Sequence, residues 1–205
     1  MQNKVILITG SNGEIGRALI QKFIKDKSNI IITIDLKEPV NDFPVHESFC
    51  GSILDFQLIE TIHSTYEISE IYHLAAVLST KAEQDPVRSS QVNVEGTNNM
   101  FDLCMKQFKK YNHPILFFFP SSIAVYNTTN SKNKRVDENS YCNNPLTVYG
   151  KSKLECELNG VIAEKNDIID FRCIRFPGII SATSKPTGGT SDYAPEMIHH
   201  AFNNN

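Results

Sequence analysis

The chain has 205 residues, 40% of them hydrophobic and 21% charged, which is enough apolar material for one full core and far from a disordered composition. Twenty basic side chains against twenty-three acidic ones leave a formal charge of −3, and the absence of long like-charge runs argues against a nucleic-acid or anionic-membrane footprint. The longest apolar stretch, residues 115–119, is far below the ~20 residues a bilayer requires, and the first predicted strand starts too early to leave room for a signal peptide.

Short β-rich runs alternate with helical periodicity, the pattern of a parallel α/β sheet. Residues 5–9 form an apolar run that stops at Gly10, as expected of a strand buried on both faces. Ile15, Leu19, Ile20, Phe23 and Ile24 then recur at helical spacing. A second strand at residues 30–34 ends in Asp35, and a third is predicted at 45–49. A short helix follows at 56–64 and a fourth strand at 70–76. Asp85-Pro86 reads as an N-cap with a first-turn proline, opening a helical region in which Phe101, Cys104, Met105 and Phe108 are spaced i, i+3, i+4 and i+7. Strand five is predicted at 115–119 and a polar surface loop at 127–144. A helix at 149–163 should bury Leu154, Leu158, Val161 and Ile162, and strand six covers 169–176. From Ser181 the composition turns to Ser, Thr, Gly and Pro, before one more helical pattern at 196–202. Six strands with intervening helices predict a doubly wound, Rossmann-type parallel sheet with helices on both faces and right-handed crossovers.

Three places carry chemistry. The first is Gly10-Ser-Asn-Gly13-Glu-Ile-Gly16, between strand one and helix one. Glycines there allow a tight turn and let a pyrophosphate approach backbone N–H groups at a helix N-terminus. Asp35 stands nineteen residues beyond Gly16; a carboxylate at that place accepts the ribose hydroxyls of an adenosine and repels a 2′-phosphate, which favours NAD over NADP, although Lys37 lies close by. The second is Tyr149-Gly-Lys-Ser-Lys153, which puts a phenol and an ammonium on one helix face. Lowering a tyrosine pKa from 10 to near 7 takes ~4 kcal/mol, and one cation at ~4 Å in an effective dielectric near 20 supplies about that much. A lysine-assisted tyrosine base is the expected result. The third is Ser121-Ser122, at the carboxyl end of strand five, the edge where open α/β sheets bind ligands.

These motifs, with His73-Leu-Ala-Ala76, Asn93-Val-Glu-Gly-Thr97 and their order along the chain, resemble the extended short-chain dehydrogenase/reductases, the NAD-dependent epimerase/dehydratase family. The resemblance implies Tyr149 as the base, Lys153 on the nicotinamide ribose, Ser122 orienting substrate and Asn93 supporting them from behind. It implies further NAD contacts from Gly10, Asn12, Gly13, Glu14, Ile15 and Gly16, from Asp35, Ser52 and Ile53, from Leu74, Ala75 and Ala76, and from Pro177. A narrower resemblance rests on Ala75-Ala-Val-Leu-Ser79 and on Lys185-Pro-Thr-Gly-Gly-Thr-Ser-Asp-Tyr-Ala194. These look like the short-chain-type L-threonine 3-dehydrogenases, and imply Ser79, Thr80, Gly189, Thr190 and Ser191 as amino-acid contacts.

Two residues depart from that pattern: Ser191 replaces a second threonine, and Ser52 replaces an aspartate near adenine. The chain also stops at Asn205, where relatives continue through a C-terminal region. Residues 1–180 are therefore expected to form a NAD-binding domain and 181–205 to begin a substrate-binding region, with catalysis impaired. The expected reaction is oxidation of the L-threonine hydroxyl to 2-amino-3-ketobutyrate; a nucleotide-sugar epimerase or dehydratase, or a silent NAD-binding module, stand as alternatives. A homodimer is implied, because such relatives commonly dimerise. Five scattered cysteines without CxxC spacing, and histidines without pairing, point to reduced thiols, a cytoplasmic-type compartment (a mitochondrial one staying open) and no metal site.

Overall fold

The computed structural model describes residues 4–39, 43–126, 136–137, 144–165, 167–179 and 193–202. Strands β1 (Lys4–Thr9), β2 (Asn29–Asp35), β3 (Glu47–Cys50), β4 (Ile68–His73), β5 (Ile115–Ser122) and β6 (Ile169–Phe176) form one sheet in the order β3-β2-β1-β4-β5-β6. Every neighbouring pair is parallel. Between β1 and β4 the winding reverses, which opens a crevice at the carboxyl ends of the strands.

Because both faces are covered, β1 is apolar from Val5 to Ile8 rather than alternating. Ile6 and Ile8 pack with Ile20 and Ile31 on one face, against Leu19 and Phe23 of α1 (Glu14–Phe23). Val5 and Leu7 join the larger core on the other face, with Ile32, Ile34, Phe117 and Phe119. That core is closed by α2 (Phe56–Thr65), by α5 (Gly96–Tyr111) through Met100, Phe101, Leu103 and Cys104, and by α6 (Val148–Glu164) through Cys156.

Three expectations need correction. The fourth strand starts earlier and ends at His73, so Leu74, Ala75 and Ala76 belong to the loop that follows it. The helical region after Asp85 is three pieces: α4 (Pro86–Ser90), a π-helical turn Gln91–Glu95, and α5. It is preceded by α3 (Ser79–Gln84), which periodicity did not indicate. The third concerns α6. Leu158, Val161 and Ile162 are 58%, 41% and 60% exposed, whereas Lys153, Cys156, Glu157 and Gly160 are buried. The polar face turns inward because Lys153 and Glu157 find internal partners, and because Gly160 lets the Phe171 ring approach where a Cβ would stand 2.3 Å from it.

The last helix, α7, spans Tyr193–Phe202. Of the predicted polar loop only Val136, Asp137 and Asn144 are among the described residues, and Gly189, Thr190 and Ser191 lie outside them. No helix among the described residues is long and apolar enough to cross a membrane.

Candidate functional site

At the carboxyl edge of β1 the chain turns through Gly10, whose φ of +68° is a left-handed conformation that disfavours other residues. Close approach adds to the requirement: a Cβ on Gly10 would stand 2.7 Å from the Ala75 nitrogen and 2.8 Å from the Leu74 carbonyl carbon. The two loops that flank the crevice, after β1 and after β4, are thus in backbone contact. Helix α1 begins at Glu14 and Ile15 with Gly13 as an exposed N-cap that offers no side-chain cap. Its N-terminal N–H groups and positive dipole end face the crevice, the arrangement that receives a phosphate. Gly16 is buried one turn further on.

Asp35, at the end of β2, accepts the Asn12 backbone N–H at 2.9 Å through Oδ2 and that of Lys37 at 3.2 Å through Oδ1. The Asn12 amide donates in turn to the Lys37 and Glu38 carbonyls. Ser52 and Ile53 sit after β3, where the Ser52 hydroxyl accepts the Leu54 N–H and Ile53 is buried against Gly96. This hydroxyl closes its own turn. Pro177 is exposed immediately beyond β6.

Across the crevice, Tyr149 and Lys153 lie on the first turns of α6. Gly150 makes this possible, since a Cβ there would meet the Ala124 carbonyl oxygen at 2.2 Å. Helix α6 therefore rests directly on the turn after Ser122, whose hydroxyl accepts the Ala124 N–H at 3.1 Å. Ser121 faces the opposite way and is buried, its hydroxyl without a hydrogen-bond partner among the described residues.

Lys153 is 3% exposed. Its ammonium donates to the Pro120 carbonyl at 2.7 Å and lies over the Phe119 ring, 4.5 Å from its centre, and 5.5 Å from the centre of the Tyr149 ring. Burial brings Lys153 down to about 8, while nearby Cys156, Cys173 and Glu157 oppose that shift. Burial also pushes the Tyr149 phenol up to about 12. The expectation of a phenol already lowered by Lys153 is therefore corrected: desolvation dominates, and the ammonium is directed at a backbone carbonyl.

A family described as the NAD dependent epimerase/dehydratase family matches residues 6–204. The chain belongs to that family. It is 34% identical over 202 residues to the mitochondrial L-threonine 3-dehydrogenase of Bos taurus, an alignment covering 97% of this chain and 52% of that protein. The solved structure of a monomeric L-threonine 3-dehydrogenase from a metagenome is 39% identical, with a TM-score of 0.79 over 96% of this chain and 61% of that one. A nucleoside-diphosphate-sugar epimerase from Agrobacterium tumefaciens is 27% identical with a TM-score of 0.80, over 95% of this chain and 58% of that one. The chain thus spans about half the length of the curated relative named here.

The family's sequence signals led to the Gly-rich turn, Asp35, Ser122, Tyr149 and Lys153, and to His73, Asn93 and Thr97 as motif members, but not to the hydrogen bonds these buried groups make or to the Arg175–Glu157 pair. His73, 1% exposed, accepts from the Thr9 hydroxyl at Nδ1 (2.9 Å) and donates from Nε2 to the Thr97 hydroxyl (3.1 Å), which itself donates to the Asn93 carbonyl. Because Thr97 spends its proton on the Asn93 carbonyl, Nε2 must donate, and the neutral ring accepts at Nδ1 from the Thr9 hydroxyl, which also accepts the Ala75 N–H. On the other side of α6, Arg175 holds Glu157 through both carboxylate oxygens and donates to the Tyr126 hydroxyl at 2.9 Å. The glutamate four residues after Lys153 and the arginine near the end of strand six were the available clues. Among the described residues no group of three or more His, Cys, Asp or Glu is placed to hold a metal ion.

Proposed function

We propose that this chain carries the cofactor-binding and catalytic part of an NAD-dependent dehydrogenase that oxidises the 3-hydroxyl of L-threonine to 2-amino-3-ketobutyrate. The observation that carries the reading is the convergence at one sheet edge of the Gly10 turn, the uncapped α1 N-terminus and Asp35 with Ser122, Tyr149 and Lys153. The Gly10–Ala75 contact locks the two crevice loops together, and the Gly13 N-cap leaves the first N–H groups of α1 without a side-chain cap, which fits a dinucleotide phosphate lying against backbone. Residues 10–16, 52–53 and 74–76, with Asp35, Lys153 and Pro177, would hold it. When bound, the dinucleotide supplies the hydride acceptor.

In this reading Tyr149 takes the hydroxyl proton, and Ser122 donates its own hydroxyl hydrogen to the substrate oxygen while still accepting the Ala124 N–H. Lys153 lends its charge to the phenol, and Ser79 and Thr80 at the start of α3 receive the amino acid. Gly189, Thr190 and Ser191 complete that contact set by resemblance alone. Asp35 supports NAD over NADP, since a 2′-phosphate would meet a carboxylate. Residues 1–180 act as the NAD-binding unit and 181–205 as the start of the substrate-binding one.

NADH formation from L-threonine and NAD tests the reading, with NADP and a UDP-hexose as comparisons. The likeness to the Agrobacterium epimerase supports the second reading; interconversion of the UDP-hexose without L-threonine turnover would establish it instead. Tyr149→Phe should abolish turnover and leave NAD affinity nearly unchanged, whereas Lys153→Ala should weaken both. Wild-type rates in Tyr149→Phe would assign the proton to another group.

We further infer self-association through the exposed apolar stripe Leu158, Val161 and Ile162 of α6 with Met105 of α5. Sedimentation should report a dimer that Leu158→Ser/Ile162→Ser converts to monomer with little loss of stability. A monomeric wild type would resemble the metagenomic relative in this respect.

A further inference from the structure

Helix α3 has six residues and its N-cap Leu78 offers no side-chain cap. A helix this short has no stability of its own, so its position is set by whatever tethers it. Among the described residues, two tethers run from this segment to the first turns of α6.

The first tether is Asn93, 3% exposed in the π-helical turn Gln91–Glu95. Extra residues in π-turns re-aim side chains, and such turns recur at functional sites. The Asn93 side chain grips both backbone groups of Val77: its oxygen accepts the Val77 N–H at 2.7 Å, and its nitrogen donates to the Val77 carbonyl at 3.0 Å. The second proton of that nitrogen is shared between the Ser89 hydroxyl at 3.2 Å and the Ser152 hydroxyl at 3.4 Å, and the Ser152 hydroxyl donates to the Tyr149 carbonyl at 2.9 Å.

The second tether is Glu83. Its carboxylate accepts the backbone N–H of Val148 at 2.7 Å. Val148 is the first residue of α6 and has no intrahelical acceptor for that N–H. Thr147 satisfies the neighbouring donor, from Gly150, at 2.9 Å. A carboxylate on a helix N-terminus is favoured by the dipole, and the bond is of the short, charge-assisted kind.

On α6 the two attachments, Val148 and Ser152, straddle Tyr149. On the other segment they lie at Val77 and Glu83 and straddle Ser79 and Thr80. We infer that Glu83, with Asn93, is a positioning residue that staples residues 77–83 to the catalytic turn of α6, fixing Ser79 and Thr80 relative to the Tyr149 phenol. This rests on the proposed reaction for its functional consequence, but the staple itself is independent of it. Glu83 bonds to Val148, which is not among the proposed NAD contacts, so its substitution should act on substrate and not on cofactor.

Glu83→Gln keeps an oxygen acceptor for Val148, and Glu83→Ala keeps none. In the 205-residue chain saturated with NAD, Glu83→Ala should weaken L-threonine binding or kcat/KM about tenfold, the scale of one such hydrogen bond. Glu83→Gln should restore most of it, and NAD affinity should stay unchanged in both. A general structural role would instead lower NAD affinity in parallel. Backbone NMR supplies an arm that needs no substrate. Glu83→Ala should move the Val148, Tyr149, Ser79 and Thr80 amides together and speed exchange at Val148, leaving residues 10–16 in place. Shifts confined to the immediate neighbours of Glu83, or threonine binding as in the wild type, would overturn the proposal. If the unmodified chain with NAD binds no L-threonine, the substrate reading fails, and the amide shifts alone decide the staple.

Discussion

A phenol and an ammonium four residues apart on a helix share a face, but sharing a face does not decide a pKa. Tyr149 and Lys153 are where spacing put them, and their chemistry still differs from expectation because both are desolvated. Burial disfavours the charged form of each, taking the phenol up to about 12 and the ammonium down to about 8. The direction of Lys153 toward the Pro120 carbonyl was equally hidden, since nothing in the spacing of a YxxxK pattern says what the lysine will donate to. The free chain should therefore show no Tyr149 phenolate below pH 10. The difference in ultraviolet titration between wild type and Tyr149→Phe measures this. A Tyr149 midpoint near 7 without cofactor would mean that Lys153 already acts on the phenol and that the site is poised in the free state.

Helix α6 is held by contacts that periodicity obscured. Its sequence has two candidate stripes, one apolar and one carrying Lys153, Cys156 and Glu157, and an apolar-inside rule chooses the first. The second is buried because its charges are paired: Glu157 accepts two parallel bonds from Arg175, which is fixed by β6 and also touches Tyr126. Side-chain exposures of 22% for Arg175 and 9% for Glu157 mark this as a largely desolvated pair. Removing one partner strands the other charge, so Glu157→Gln or Arg175→Met should each cost about 2–3 kcal/mol, somewhat under the value for a fully buried pair. Replacing both with apolar residues of similar volume should cost less than the sum. Urea unfolding of the two single variants and the double variant checks this, and strict additivity would mean the pair is not coupled. Glu157→Gln should also lower Lys153 further, because that carboxylate opposes the burial effect.

At the scale of the molecule, strand count, parallel direction and the position of the crevice were all readable, because apolar runs ending in Gly10, Asp35 and Ser122 mark sheet edges directly. What joins the two halves of the sheet was not, since it is a buried polar chain rather than a pattern: Ala75 to Thr9, Thr9 to His73, His73 to Thr97, Thr97 to Asn93. Every donor and acceptor in it is used when His73 is neutral, with Nδ1 accepting and Nε2 donating. A second ring proton would leave Nδ1 facing the Thr9 hydroxyl, which would have to turn away from it. Burial first, and the nearby Lys153 charge second, bring His73 from 6.5 down to about 3. Below pH 6.5 the unfolded chain therefore binds a proton at this site that the folded chain refuses. The stability His73 contributes is complete above pH 6.5 and is lost as pH falls from there toward about 3, by at most about 1.4 kcal/mol per pH unit. Between pH 7.5 and pH 5 the loss from this one group should approach 2 kcal/mol. Burial lowers His63 as well, so the quantity to measure is the difference in slope between wild type and His73→Gln. That variant should be less stable at pH 7.5, where two threonine hydroxyls lose well-placed partners, and its denaturation midpoint should fall less steeply with acid. Equal slopes in the two proteins would mean that His73 takes up its proton as readily in the fold as in the unfolded chain, with Nδ1 turned donor toward the Thr9 hydroxyl.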